Sequence, residues 1–167
     1  LLRVSTLVLG GKQTMNISIS CEDINKRCCC FNMRKVTRAV TQYYDRFLEP
    51  AGIRATQFTL LAALFSTKGK TLTEIAESLV MDRTTLTRNL KPLEKMALIA
   101  TVQTLDKRSK AYVLTPQGEQ TVERCVPLWQ QAQNSVVNSL GDETYNDLVS
   151  KLTRMLTITN SNHKERK

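Results

Sequence analysis

Three thiols stand side by side at Cys28, Cys29 and Cys30, with Cys21 upstream and Cys125 far downstream. A thiolate can attack, be oxidised or ligate a metal, and each role needs neighbours of a particular kind. Structural zinc takes four donors, commonly at a C-x₂₋₄-C spacing. A continuous triplet on a helix spreads its thiols around the axis, and the one histidine, His163, stands in a polar tail. No metal site is expected. Cys30 without a usable His has no general base, and neither paired carboxylates nor a phosphate loop can be assembled. No catalytic residue, no cofactor and no enzymatic activity are therefore expected. Five cysteines, an odd count, also do not suit the disulfide framework of a small secreted domain.

A second set of residues points to a different chemistry. With about 100° per residue, Leu86, Leu90, Leu93 and Ala97 fall on one narrow stripe that must face a core. Thr84, Arg88, Lys91 and Lys95 then lie opposite, with Thr87 at the edge and Arg83 on a flank. Short hydroxyls fit against base edges or phosphates, and arginine can bond guanine bidentately. The same cations would also suit a merely solvated face. What favours a nucleic-acid reading is a second basic projection close by, the turn Asp106-Lys107-Arg108-Ser109-Lys110. Residues 82–110 hold seven cations against three anions, which fits a groove and its flank in duplex DNA.

These residues need elements to hold them. Ser20 can cap a first helix with apolar positions at Ile24, Cys28, Phe31, Val36, Val40, Tyr43 and Phe47, ended by Glu49-Pro50-Ala51-Gly52. Thr56 begins a second helix and Lys68-Gly69-Lys70 breaks it. Thr73 caps a short third over 74–79, and Asp82 caps a fourth that runs to about Met96, with Pro92 expected to bend it or loosen its last turn. The period then changes: Ile99, Thr101, Gln103 and Leu105, then Tyr112 and Leu114, read as two short strands joined by the charged turn. Thr115-Pro116 starts a fifth helix expected to bury Val122, Cys125, Val126, Trp129, Ala132, Val136 and Leu140. Gly141-Asp142 stops it and caps a sixth, with Tyr145, Leu148, Leu152, Met155 and Leu156 on one face. The expected fold class is mainly α with a small β-hairpin wing, a winged helix-turn-helix plus a helical dimerisation region.

The bulk properties agree with this plan. The 167 residues carry 24 Lys+Arg against 15 Asp+Glu, a formal +9, and 41% are hydrophobic, enough for a core. Aromatics are 5% with a single Trp, which argues against a stacking platform for single strands. Residues 1–14 read as a disordered extension or non-native start, 15–50 and 116–159 as the dimerisation region, 51–115 as the DNA-binding domain, and 160–167 as a disordered tail. The apolar run Val4–Leu9 is too short to span a membrane, and no export signal is evident, so a soluble cytoplasmic protein without membrane contact is expected.

The run TLTEIAESLVMDRTTLTRNLKPLEKMALI, followed by LDKRSKAYVLTPQGEQ, resembles the MarR (multiple antibiotic resistance regulator) family of bacterial transcription factors. The likeness covers about residues 26–157 and is most specific in MDRTTLTRNLKPLE and in the D-x-R-S element Asp106–Ser109. It implies a homodimer paired through the first and last two helices, with the fourth helix in the major groove of a palindromic operator. It further implies that Arg108 enters the minor groove and that Asp106 orients it. The DNA-binding set is then Arg83, Thr84, Thr87, Arg88, Lys91, Asp106, Lys107, Arg108 and Lys110. Independently, the terminal helices carry more apolar surface than one small winged domain can cover, and the stripe Leu148–Leu152–Met155–Leu156 suits an intersubunit seam.

Two signals remain open. Many members bind small aromatic or phenolic ligands between the dimer helices and the DNA-binding domain. Another branch senses organic hydroperoxides through a Cys early in the first helix. Cys30-Phe31 falls at that branch's Cys-Phe pair, and Tyr44 matches one of its buttressing tyrosines. Arg34 and Ala55 stand where the branch has two others. Arg34 can favour the Cys30 thiolate, or it is a surface arginine beside an inert buried Cys. Tyr43, Tyr44 and Trp129 read as packing or as a ligand box. The function expected is a sequence-specific transcriptional regulator, a repressor released by a small aromatic ligand or by cysteine oxidation. The alternative is an architectural or protein-interaction winged-helix module without effector.

Overall fold

The computed structural model describes residues 25–66, 71–103 and 110–164. The chain divides into two compact units, Leu1–Ala39 and Val40–Lys167. In the first, helix α1 (Cys29–Leu48) begins. A helical turn at 25–27 stops at Cys28, so the first helix is not continuous from Ser20, which with Ile24 and Cys21 lies outside the described residues. Cys28 ends that turn because it acts as a cap. Its Sγ accepts the Phe31 N–H at 3.5 Å and its carbonyl accepts the Asn32 N–H at 3.1 Å. The Asn32 side chain adds a further bond to the same carbonyl. Phe31 and Val36 are exposed rather than packed.

The second unit builds the rest. After α1 a 3₁₀ turn, Glu49–Ala51, closes on Gly52, whose φ of 69° is the left-handed value that glycine tolerates. Helix α2 (Ala55–Ser66) starts one residue before the Thr56 expected of it. The Asp45 carboxylate accepts the Ala55 N–H and the Gln57 side chain accepts the Arg54 N–H, so its first turn is capped from two sides. Residues 68–70 lie outside the description. Helix α3 (Leu72–Ser78) is capped by Thr71, not Thr73: Thr71 and Glu74 form a capping box, a T-x-x-E signature two residues upstream of the expected start.

Between α3 and α4 (Arg83–Lys95) the chain reverses at Val80, with the Met81 N–H on the Ala76 carbonyl and the Val80 N–H on that of Glu77. Val80 has φ 53°, a left-handed position for a β-branched residue. Such a position costs an L-residue about 1–2 kcal/mol, while glycine's extra unfolded-state freedom costs roughly 0.5–1 kcal/mol. Val80 is also exposed, so little burial is at stake. Val80→Gly is therefore expected to raise stability by about 0.5–1 kcal/mol, read as a higher urea midpoint at unchanged slope. A lower midpoint would show that the turn is not strained.

Asp82 caps α4 as expected, and the helix continues through Pro92 to Lys95. Leu86, Leu90 and Leu93 are completely buried. Ala97 departs from the stripe: it is exposed, past the helix end, at φ 55°. The Leu98 N–H reaches back to the Leu93 carbonyl, the closing bond of a left-handed helix terminus, so helical periodicity no longer applies at Ala97.

Strands β1 (Ile99–Gln103) and β2 (Lys110–Leu114) pair antiparallel, from Ile99 opposite Leu114 to Gln103 opposite Lys110. Lys110 thus belongs to a strand, not to the turn, because the ladder extends to it; Leu105 lies outside the described residues. Helix α5 (Pro116–Leu140) starts at Thr115, whose hydroxyl accepts the Gly118 N–H and donates to the Ala97 carbonyl. The core of this unit joins Leu61, Ile75, Leu90, Ile99, Val122 and Cys125 from five elements. Helix α6 (Asp142–Lys164) follows Gly141 and runs through residues 160–164 that were expected to be a disordered tail, since no Pro or Gly interrupts them.

Burial on α5 corrects the expectation. Val122, Cys125 and Ala132 are buried, but Val126, Trp129 and Leu140 are exposed and Val136 is intermediate. One helix face meets the winged core, and the adjoining face is left partly open to solvent. The α6 residues Leu148, Leu152, Met155 and Leu156 are exposed in the same way. No described helix is long and apolar enough to cross a membrane.

Candidate nucleic-acid interface

The three buried leucines hold α4 against the core by one face and turn the opposite face outward. Arg83, Thr84, Arg88, Lys91 and Lys95 are exposed there and Thr87 is half-buried. Five of the residues singled out from sequence, Arg83, Thr84, Thr87, Arg88 and Lys91, line one shallow depression of about 620 Å³ together with Leu72 from the start of α3. Among the described residues no carboxylate forms an ion pair with any of these three cations. Their charge is thus directed at whatever enters the depression.

Local chemistry sets what the smaller side chains offer. The Thr87 hydroxyl donates to the Arg83 carbonyl at 2.8 Å, leaving acceptor lone pairs. Asp82 receives both the Thr85 hydroxyl and the Thr85 N–H, at 2.6 and 2.8 Å, and these bonds hold its carboxyl below the usual range. Its charge stays on the helix N-terminus and away from the Arg88 and Lys91 turns.

A second concavity of about 480 Å³ is also lined by Arg88, with Arg54, Gln57, Asn89 and Pro92 among its other lining residues. Sequence reading missed Leu72, Arg54, Gln57 and Asn89. A helical wheel ranks residues of one helix only, and Leu72, Arg54 and Gln57 come from other elements. Asp106, Lys107 and Arg108 lie outside the described residues, and Lys110 is placed by its backbone alone.

The possible sensor residues fall in different units. Cys29 and Cys30 are exposed free thiols in the first, and Cys28 caps α1. Tyr44 belongs to the second, where its hydroxyl donates to Gln133 Oε1 at 2.7 Å and Gln133 Nε2 donates to the Tyr145 hydroxyl at 2.6 Å. Burial, and then the neighbouring Tyr145 and Tyr43 phenols, raise the Tyr44 pKa, so it stays protonated. Cys125 is buried and its thiol is pushed up by that burial, although Arg124 opposes it, which keeps it unreactive. Tyr44 also lines an open apolar pocket of about 600 Å³ with Leu48, Phe58, Ala62, Val126 and Trp129.

The model of the MarR family matches residues 53–110, the stretch from α2 to the start of β2. The crystal structure of the M. tuberculosis transcriptional regulator MosR in complex with DNA is 31% identical, covers 81% of this chain and 98% of its own, and superposes with a TM-score of 0.75. The chain belongs to the MarR family. As a MarR-family protein it is one of a group of DNA-binding, winged-helix transcriptional regulators. The S. aureus MepR–DNA complex is also similar, at 26% identity over 77% of this chain and 96% of that one, with a TM-score of 0.68. Among curated relatives, the organic hydroperoxide resistance transcriptional regulator of Bacillus subtilis is 26% identical over 81% of this chain and 90% of its own length.

Proposed function

We propose that this MarR-family protein is a homodimeric repressor that reads a palindromic operator through α4 and the wing and is released by a small aromatic ligand. The observation that carries the reading is the convergence of Arg83, Thr84, Thr87, Arg88 and Lys91 in one unpaired concave face. Thr84 and Thr87 meet base edges, Arg88 and Lys91 meet bases or phosphates, and Lys107, Arg108 and Lys110 on the wing take the flanking groove, with Asp106 orienting Arg108. The exposed apolar faces of α5 and α6 support pairing of two copies. Two copies would present two recognition helices to two half-sites. The apolar pocket beside α2 supports a small-molecule effector.

Binding of purified protein to palindromic and random duplexes over a range of salt tests the reading. Equal affinity for both would point to the architectural alternative. Arg88→Ala should weaken operator binding by about 1–3 kcal/mol with no change in the thermal midpoint, because Arg88 is exposed. Unchanged affinity would remove α4 from the interface.

A second release route, oxidation at Cys30, is favoured by two observations: its exposed free thiol and the named role of the B. subtilis relative. Cys30→Ser should retain operator binding under reducing conditions and lose release by organic hydroperoxide. A mutant still released to the parental extent would exclude Cys30 as the sensor.

A further inference from the structure

The ligand-release reading leaves the class of ligand open, and the pocket lining restricts it. We propose that this pocket selects uncharged aromatic molecules carrying a hydrogen-bond donor and discriminates against aromatic carboxylates. The inference rests on the pocket being the effector site. Its volume of about 600 Å³ suits a ring of one or two cycles. Leu48, Phe58, Ala62, Val126 and Trp129 supply apolar walls, and among the described residues none that lines it is a lysine, arginine, histidine or acid. An ion entering it would lose water without gaining a countercharge, which is costly for a carboxylate and costs a neutral ring nothing comparable.

The polar atoms around it sharpen the choice. The single hydroxyl proton of Tyr44 is already donated to Gln133, whose amide is in turn committed to Tyr145. The Thr59 hydroxyl proton is likewise donated to the Ala55 carbonyl at 2.9 Å. The Tyr44 and Thr59 hydroxyls therefore retain acceptor lone pairs only. A phenol or an N–H finds partners in them, whereas a carboxylate meets lone pairs with its own. Thr41 adds one further hydroxyl, able to satisfy one neutral acceptor but not to balance a charge.

The chain has one tryptophan, Trp129, and it lines the pocket, so its emission reports occupancy directly. The full chain is titrated with 4-hydroxybenzamide and with 4-hydroxybenzoate, which share ring and phenol and differ by one negative charge. The donor is tested with 4-cresol against 4-methylanisole. Operator release is followed separately by fluorescence anisotropy of labelled duplex. The amide is expected to change Trp129 emission at concentrations about tenfold or more below the carboxylate, and cresol at about threefold to tenfold below the anisole. Thr59→Lys, at an exposed position of α2, places a cation at the rim and should reverse the amide–carboxylate order. Equal or tighter binding of the carboxylate to the parent protein would overturn the proposal, as would the absence of any response to all four compounds. Amide binding that leaves the operator complex intact would support the ligand class and overturn release by this site.

Discussion

Gly118→Ala should cost about 3 kcal/mol or more of stability, at the upper end of what overpacking does. A Cβ built on Gly118 would lie 2.0 Å from the Leu98 carbonyl oxygen and 3.0 Å from its carbon. Both are backbone atoms, so no rotamer change relieves the contact. The chain would have to draw the first turn of α5 away from the residue between α4 and β1. The same carbonyl accepts the Thr115 N–H at 3.0 Å, and Thr115 holds the neighbouring Ala97 carbonyl, so both bonds would be strained together. Alanine's better helix propensity returns about 1 kcal/mol and does not offset this. Gly141→Ala is the control: nothing lies within 4 Å of its Cβ, and its φ of 78° alone opposes the change. Its expected cost is about 1–2 kcal/mol. Urea midpoints of the two variants decide it. A Gly118 variant within experimental error of the parent would mean that α5 does not seat on the wing base as described.

Leu90→Ala is expected to destabilise by about 2–5 kcal/mol, a large share of the roughly 5–15 kcal/mol that a domain of this kind possesses. Leu90 has no exposed surface and lies at the centre of the buried stripe Leu86–Leu90–Leu93. That stripe is what holds the Arg88 and Lys91 turns of α4 outward. Loss of thermal stability should therefore come with loss of operator affinity at temperatures where the variant is partly unfolded, and affinity should recover on cooling. Arg88→Ala has the opposite signature, binding lost at unchanged stability. Leu90→Met keeps the volume and should cost less than about 1.5 kcal/mol. A Leu90→Ala variant as stable as the parent would place α4 on a different face.

Legibility followed the range of the interaction. The stripe of α4, its Asp82 cap, the Thr115-Pro116 start of α5 and the end of α1 at Gly52 were all readable, because each is decided by residues within one or two turns. The α3 cap was misplaced between two threonines, although Thr71 and Glu74 carry the signature. Ala97 was misjudged because a period was extended past a helix end that no glycine marks. The longest misreading concerned α5. Val126 and Trp129 continue its apolar pattern, but burial depends on what covers a face, and the winged core covers only the face of Val122, Cys125 and Ala132.

By itself the sequence determined the family, the order of helices and hairpin, and which side chains of α4 carry hydroxyl or positive charge, since these depend on local spacing and residue type. Only the tertiary structure decided what those side chains share. It set Leu72 beside the α4 cations, put Arg54 and Gln57 in one concavity with Arg88, pressed Gly118 onto the Leu98 carbonyl, and linked Tyr44 to Tyr145 through Gln133. Each of these contacts joins different elements, and the packing of the buried leucines, not any periodicity, determines which elements meet.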